Sequence, residues 1–128
     1  MSLLFVIIGG FLGTICRYSV GEWLYTENGF PLATLSVNLI GCFILGWFLT
    51  FVNHRKTINP AYTFIFGTGF IGSFTTFSTF SVETIQLFLK GLYVTALVYV
   101  LSTMILGLLL TFLGSKVALL NRKRGDTV

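Results

Sequence analysis

Four apolar runs, at residues 3–24, 32–52, 62–89 and 92–113, take up most of a chain of 128 residues. Each is near or above the roughly 20 residues that cross a bilayer core as a helix. Charged residues make up 9% of the chain and hydrophobic ones 55%, whereas a soluble domain carries about 25% charge. A chain this short cannot hide so much apolar surface in a core of its own, so lipid has to be the solvent for much of it. The fold class that follows is an all-α membrane protein with four transmembrane helices in a single membrane domain. The helices fall at about 3–24, 32–53, 60–89 and 91–114, with a basic tail at 115–128. The first run lacks a basic leader and is too long for a signal peptide.

The connections are short. TENGFP (26–31) carries an Asn-Gly step and a proline and reads as a turn. In NHRKTINP (53–60), Asn59-Pro60 suits a helix start with proline at the first helical position. The third connection, around Lys90-Gly91, is short enough to make the third and fourth spans antiparallel neighbours. Gly9, Gly10, Gly13, Gly41, Gly46 and Gly107 lie within spans, where small residues let backbones approach. They are expected to serve helix packing and, together, an oligomer.

With four spans, the termini and the second loop share one side. That side holds Arg55, Lys56, Lys116, Arg122, Lys123 and Arg124, and the other only Arg17 and Lys90. The positive-inside rule then places both termini in the cytoplasm. The basic tail reads as this topology signal, not as a nucleic-acid patch. His54, between spans, reads as solvated. Cys16 and Cys42 read as small buried hydrophobes, with no spacing that suggests a metal site or a disulfide framework. No set of nucleophile, base and oxyanion donors is visible, so an enzyme is not expected.

Polar groups at membrane depth are expensive and concentrate function. Arg17 either snorkels to the interface or makes an electropositive mouth that gathers anions. Asn38 either hydrogen-bonds between helices or donates N–H to an anion in a narrow pathway. GFIGSFTTFSTFS (69–81) combines glycines and hydroxyls that lower helix propensity, so a break is expected between Gly72 and Thr76. Such a break is tolerated at depth where protein or a polar cavity satisfies the freed backbone. Its carbonyls can hold a cation, and the following helix start favours negative charge. Phe74, Phe77 and Phe80 recur every three residues, beside stripes of Thr75, Ser78 and Ser81 and of Thr76, Thr79 and Glu83. Two readings are open for these stripes. One is a lipid-facing Phe-rich helix whose hydroxyls bond back to the backbone. The other is a pathway wall whose O–H groups and ring edges suit a small dehydrated anion. Tyr99, Ser102 and Thr103 in the fourth span pack or extend a polar track.

GGFLGTICRY (9–18), ATLSVNLIGCFILG (33–46) and GFIGSFTTFSTFSVE (69–83), in this order across four spans, resemble the Fluc (CrcB) family of fluoride channels over essentially the whole chain. The resemblance implies an antiparallel dual-topology dimer with two fluoride pathways. It implies a structural Na+ at the dimer centre, held by the carbonyls of Gly72 and Thr75. It places Asn38, Phe77, Phe80, Ser78, Thr79, Tyr99 and Thr103 on the fluoride pathway, with Arg17 and Glu83 in the vestibule. It also implies a bacterial-type plasma (inner) membrane and passive export of fluoride trapped as the anion after entry as HF. The implied partners are fluoride, lipid and a second antiparallel subunit. The six-to-two charge bias departs from a strict dual-topology homodimer, so the second subunit is either another copy or a paired homologue of opposite bias. Two other classes stay open: a small four-helix multidrug exporter, which needs a carboxylate in the first span, and a non-conducting assembly subunit.

Overall fold

The structure is a computed structural model. It describes every residue except Met1, Asn28, Lys56 and 126–128, and leaves the side chain of Arg124 undescribed. Two of the six charges counted for the cytoplasmic side, Lys56 and Arg124, therefore lie outside the described side chains. The described residues form helices joined by short connections: α1 (Ser2–Trp23), α2 (Leu32–His54), α3 (60–74), α4 (Phe77–Leu89) and α5 (Tyr93–Gly125). Three of them, α1, α2 and α5, are each long and apolar enough to cross a membrane. The third apolar run is divided between α3 and α4, neither of which spans alone.

Contacts between helices set their relative direction. Gly9 meets Ile65 while Gly13 meets Phe70 and Ser73, so α1 and α3 run parallel. Cys42 touches Gly107, Gly46 meets Thr111, and His54 lies 3.5 Å from Arg122, so α2 and α5 run parallel. Phe48 touches Gly67, Asn38 bonds Thr76 and Thr34 bonds Glu83. The third run therefore continues in one direction through its break, antiparallel to α2. This is the alternation that four passes require.

The local starts and stops follow from sequence. Asn59 caps α3, its side-chain oxygen accepting from the Ala61 amide at 3.0 Å with Pro60 at the first helical position. At the end of α4, Gly91 has φ of 74°, open to glycine without a Cβ clash. The Gly91 amide donates to Phe88 and the Leu92 amide to Leu87. This is the paired bonding of a Schellman stop, and it turns α5 back against α4. Leu87, Ala96 and Tyr99 then meet Leu35 in the small buried core.

Four expectations change. First, α3 is not a plain α-helix: Thr63–Ile71 is wound as a π-helix, a form rare beyond single turns. This is the stretch against which α1 lays its glycines. Second, α5 does not end at 114. It is helical to Gly125 over 33 residues, about 50 Å at 1.5 Å per residue, well beyond a core of about 30 Å. The Ser115 hydroxyl donates to the Gly46 carbonyl at 3.2 Å, and Gly114 sits against the Phe43 carbonyl, so contacts with α2 carry the helix on. Third, Gly9, Gly13, Gly41, Gly46 and Gly107 all make their close approaches inside one chain, while Gly10 faces open space. Their spacing therefore serves packing within the chain. Fourth, Cys16 is exposed on the outer side of α1, while Cys42 is half-buried against α5.

Candidate functional site

The break expected between Gly72 and Thr76 falls at Thr75 and Thr76, both extended, with ψ of 157° and 122°. Asn38 on α2 explains why it holds. Its Nδ2 donates to the Thr76 carbonyl at 3.0 Å, and its Oδ1 accepts from the Thr76 amide at 2.8 Å. The side-chain oxygen thus replaces the helical acceptor of the Thr76 amide, and the side-chain nitrogen adds a donor to a carbonyl that also opens α4. Beyond the break, Thr76 caps α4: its Oγ1 accepts from the Thr79 amide at 3.2 Å and donates to Thr79 Oγ1 at 3.0 Å.

These bonds release carbonyls. In an α-helix the Thr76 amide would serve the Gly72 carbonyl, and the Thr79 amide that of Thr75. Both amides are directed elsewhere. The two carbonyls implied as sodium ligands are therefore freed from the helical ladder, and Gly72 is exposed with open space around it. Freed carbonyl oxygens at a helix break are donors that suit Na+. Among the described residues no group of three His, Cys, Asp or Glu side chains could hold a metal. One chain's two oxygens fall short of the about six that a hard cation takes.

Beside the break lies a groove of about 380 Å³, open along one side, between α2, α4 and α5. Asn38, Thr75, Thr76, Phe77, Phe80 and Thr103 line it, with Gly41, Cys42 and Met104. Five of the residues singled out in the sequence thus converge: Asn38, Phe77, Phe80 and Thr103 from the pathway set, and Thr75 from the carbonyl pair. Phe77 is 80% exposed, and its ring centre lies 6.0 Å from that of Phe80. Phe74 does not join this stripe. The break separates it, and it stacks instead on Phe70 at 5.8 Å.

The hydroxyls divide into two groups. Thr75 donates to Ile71, Ser81 to Phe77 and Thr103 to the Tyr99 carbonyl, at 3.0, 2.9 and 2.7 Å. Their protons are committed to backbone, which is the back-bonding that small hydroxyl residues offer in helices. Thr76 commits its proton to Thr79 Oγ1, which leaves the Thr79 proton uncommitted. Ser78 lies 3.4 Å from Thr76 Oγ1. Both Ser78 and Thr79 are exposed on the outer face of α4 and do not line the groove. Asn38 retains its second N–H, since an amide nitrogen carries two. The groove therefore offers one amide proton and two phenyl rings, in otherwise apolar walls.

Behind Phe80 the polar groups continue. The ring of Phe80 packs on fully buried Tyr99 at 5.1 Å. The Tyr99 hydroxyl donates to Glu83 Oε2 at 2.8 Å, and the Thr34 hydroxyl to Oε1 at 2.9 Å. Glu83 also borders a second cavity, of about 190 Å³, formed with Thr26, Phe30 and Lys90. Tyr99 lines neither cavity. Arg17 is half-buried on α1 and stands apart from both. The sequence reading missed Thr34. It lies one helical turn before Asn38, so the shared face was the available signal.

Residues 4–115 match the family described as CrcB-like protein, Camphor Resistance (CrcB). The chain is 44% identical over 125 residues to a protein of Oceanobacillus iheyensis named fluoride-specific ion channel FluC, covering 98% of this chain and 97% of the relative. A protein of the same name from Acidobacterium capsulatum is 42% identical over 116 residues, covering 89% and 93%. The Listeria monocytogenes protein named fluoride-specific ion channel FluC 2 is 46% identical over 124 residues, covering 95% of each chain. With the family match spanning nearly all four passes and the break with its asparagine inside it, this chain is a membrane protein that belongs to the CrcB family.

Proposed function

We propose that the chain is a passive, selective fluoride channel that exports cytoplasmic fluoride across a bacterial-type inner membrane and so confers fluoride resistance. The observation that carries this reading is the groove. Asn38, with one N–H uncommitted, lines the groove together with the rings of Phe77 and Phe80 within largely apolar walls, in a chain 44% identical to a relative named for fluoride. Partial positive charge on N–H and ring edges stabilises a small anion, and apolar walls strip its water. Fluoride entering acid surroundings as HF ionises inside and cannot recross lipid. A passive pore lets it leave down its gradient. The relatives are channels by name, which agrees with the expectation that the chain is not an enzyme.

A groove open along one side becomes a closed path only against a second wall. In this reading that wall is an antiparallel subunit, either a second copy or a paired homologue, which gives two pathways per dimer. Na+ is bound where the breaks of the two subunits cross, by the carbonyls of Gly72 and Thr75 from each, and neutralises four carbonyl dipoles there. The exporter class loses its support because the first helix carries no carboxylate at depth; Glu22 is exposed near its end.

The test is efflux from liposomes loaded with fluoride, with chloride as the control. Fast fluoride efflux with negligible chloride efflux is expected. Comparable chloride flux would end the claim of selectivity, and absence of both fluxes would favour an assembly subunit.

A further inference from the structure

We propose that Asn38 is a positioning residue for the cation-binding break, and not only a lining group of the groove. Its side-chain amide accepts the Thr76 N–H at 2.8 Å and donates to the Thr76 carbonyl at 3.0 Å. The first of these bonds removes the one amide that could close an i+4 bond on the Gly72 carbonyl. The second holds Thr76 extended, so that its hydroxyl can cap α4. Without the amide, the cheapest way to satisfy the Thr76 N–H at membrane depth is the Gly72 carbonyl, because an unpaired N–H is costly there. The helix would then run on, and the carbonyl would be lost as a ligand. One residue thus sets the geometry of two sites. It keeps carbonyls available on one side of the break and presents its remaining N–H to the groove on the other.

The clamp is a property of one chain. Its link to sodium rests on the function proposed above, and the experiment separates the two. Thr75-Thr76 is the only Thr-Thr step in the sequence. With threonine labelled at carbonyl 13C and amide 15N, a single NMR correlation in the full-length protein therefore reports the Thr76 amide and the Thr75 carbonyl together. In the wild type the Thr76 amide is expected to exchange slowly, and the Thr75 carbonyl to shift when Na+ is replaced by N-methylglucamine. In Asn38→Leu the amide should exchange roughly tenfold faster, the equivalent of one lost hydrogen bond, and the sodium shift should vanish. Asn38→Asp keeps an oxygen acceptor at the same reach. It should retain both the slow exchange and the sodium shift, even though its carboxylate beside the groove suppresses fluoride flux. A Thr76 amide in Asn38→Leu as protected as in the wild type overturns the clamp, as does one in Asn38→Asp that exchanges as fast as in Asn38→Leu. Should Asn38→Leu not fold, free exchange of Thr76 in the wild type overturns it equally. A protected Thr76 beside a sodium-indifferent Thr75 carbonyl supports the clamp and overturns the sodium reading instead.

Discussion

The Tyr99 phenol and the Glu83 carboxylate are joined by a 2.8 Å hydrogen bond, and Thr34 holds the other carboxylate oxygen at 2.9 Å. The bond ties α5 to α4 directly behind the Phe80 ring. Tyr99→Phe keeps the ring that packs on Phe80 and removes only the donor. Leaving that oxygen unpartnered costs about 1–3 kcal/mol, and only Thr34 then holds the carboxylate. Fluoride efflux from liposomes is expected to fall by about tenfold, the kinetic equivalent of ~1.4 kcal/mol, in a protein that still folds. Unchanged efflux would mean that the Thr34 hydroxyl alone holds Glu83 well enough.

Two glycines separate packing from function. A Cβ on Gly46 would run into the Thr111 carbonyl, whereas one on Gly10 meets nothing within 4 Å. Gly46→Ala must push α2 from α5, at about 1–3 kcal/mol. Gly10→Ala should be neutral or stabilising by up to about 1 kcal/mol, since alanine is the better helix former. Thermal unfolding in detergent, followed by loss of the monodisperse species, checks the pair. Equal midpoints would show that α2 and α5 are not packed this closely.

The sequence disclosed what lipid dictates and concealed what a neighbouring helix dictates. The four apolar runs and the glycine-and-hydroxyl break were legible because bilayer thickness and helix propensity act along the chain. The Schellman stop at Gly91 and the Asn59 cap are equally local. The π-winding of Thr63–Ile71 was not legible, because it goes with the close approach of Gly9 and Gly13 from another helix. The run of α5 past Leu113 depends on Gly114 and Ser115 meeting α2. In the site, Asn38, Phe77 and Phe80 were recognisable by type and motif. Back-bonding of Thr75 and Ser81 to carbonyls four residues earlier is local and was one of the two open readings, whereas the bonds that tie Asn38 to Thr76 and Thr34 to Glu83 depend on neighbouring helices.

Phe80 and Phe77 should differ in what else they disturb. Phe80 packs on Tyr99 at 5.1 Å, whereas Phe77 is 80% exposed. Phe80→Ile loses an aromatic contact of about 0.5–1.5 kcal/mol, together with the ring edge in the groove. Phe77→Ile loses the edge and little packing within the chain. Both should lower fluoride flux about tenfold or more, the equivalent of ~1.4 kcal/mol in the barrier, with dimerisation intact by cross-linking. Only Phe80→Ile should lower the thermal midpoint. Full flux in either variant would mean that its ring merely packs.

If Na+ binds at the break as proposed, it should act as a stabilising ligand of the protein. A ligand that binds only the folded form stabilises it by RT ln(1 + [L]/Kd). Each tenfold rise in Na+ above Kd should therefore add about 1.4 kcal/mol, and exchange into N-methylglucamine should remove the increment. Thermal unfolding across a sodium series at constant ionic strength measures it. A flat series would leave the freed carbonyls of Gly72 and Thr75 without a resident cation.

The basic residues decide how the chain inserts. Because α2 and α5 run parallel, Arg55 at the end of one and Lys116, Arg122 and Lys123 near the end of the other gather at one end of the bundle. Arg55 sits over the Phe51 ring at 5.0 Å and Lys116 over the Phe112 ring at 5.2 Å. Against them the opposite side has only Arg17 and Lys90. A bias this strong favours one orientation, with that end in the cytoplasm. In a Val128→Cys variant lacking Cys16 and Cys42, an impermeant thiol reagent added to intact cells should leave the tail unlabelled, and permeabilisation should expose it. The antiparallel wall proposed to close the groove would then have to come from a homologue of opposite bias, and co-expression with one should raise flux. Substantial labelling of intact cells would instead mean that this chain inserts both ways and supplies both walls itself.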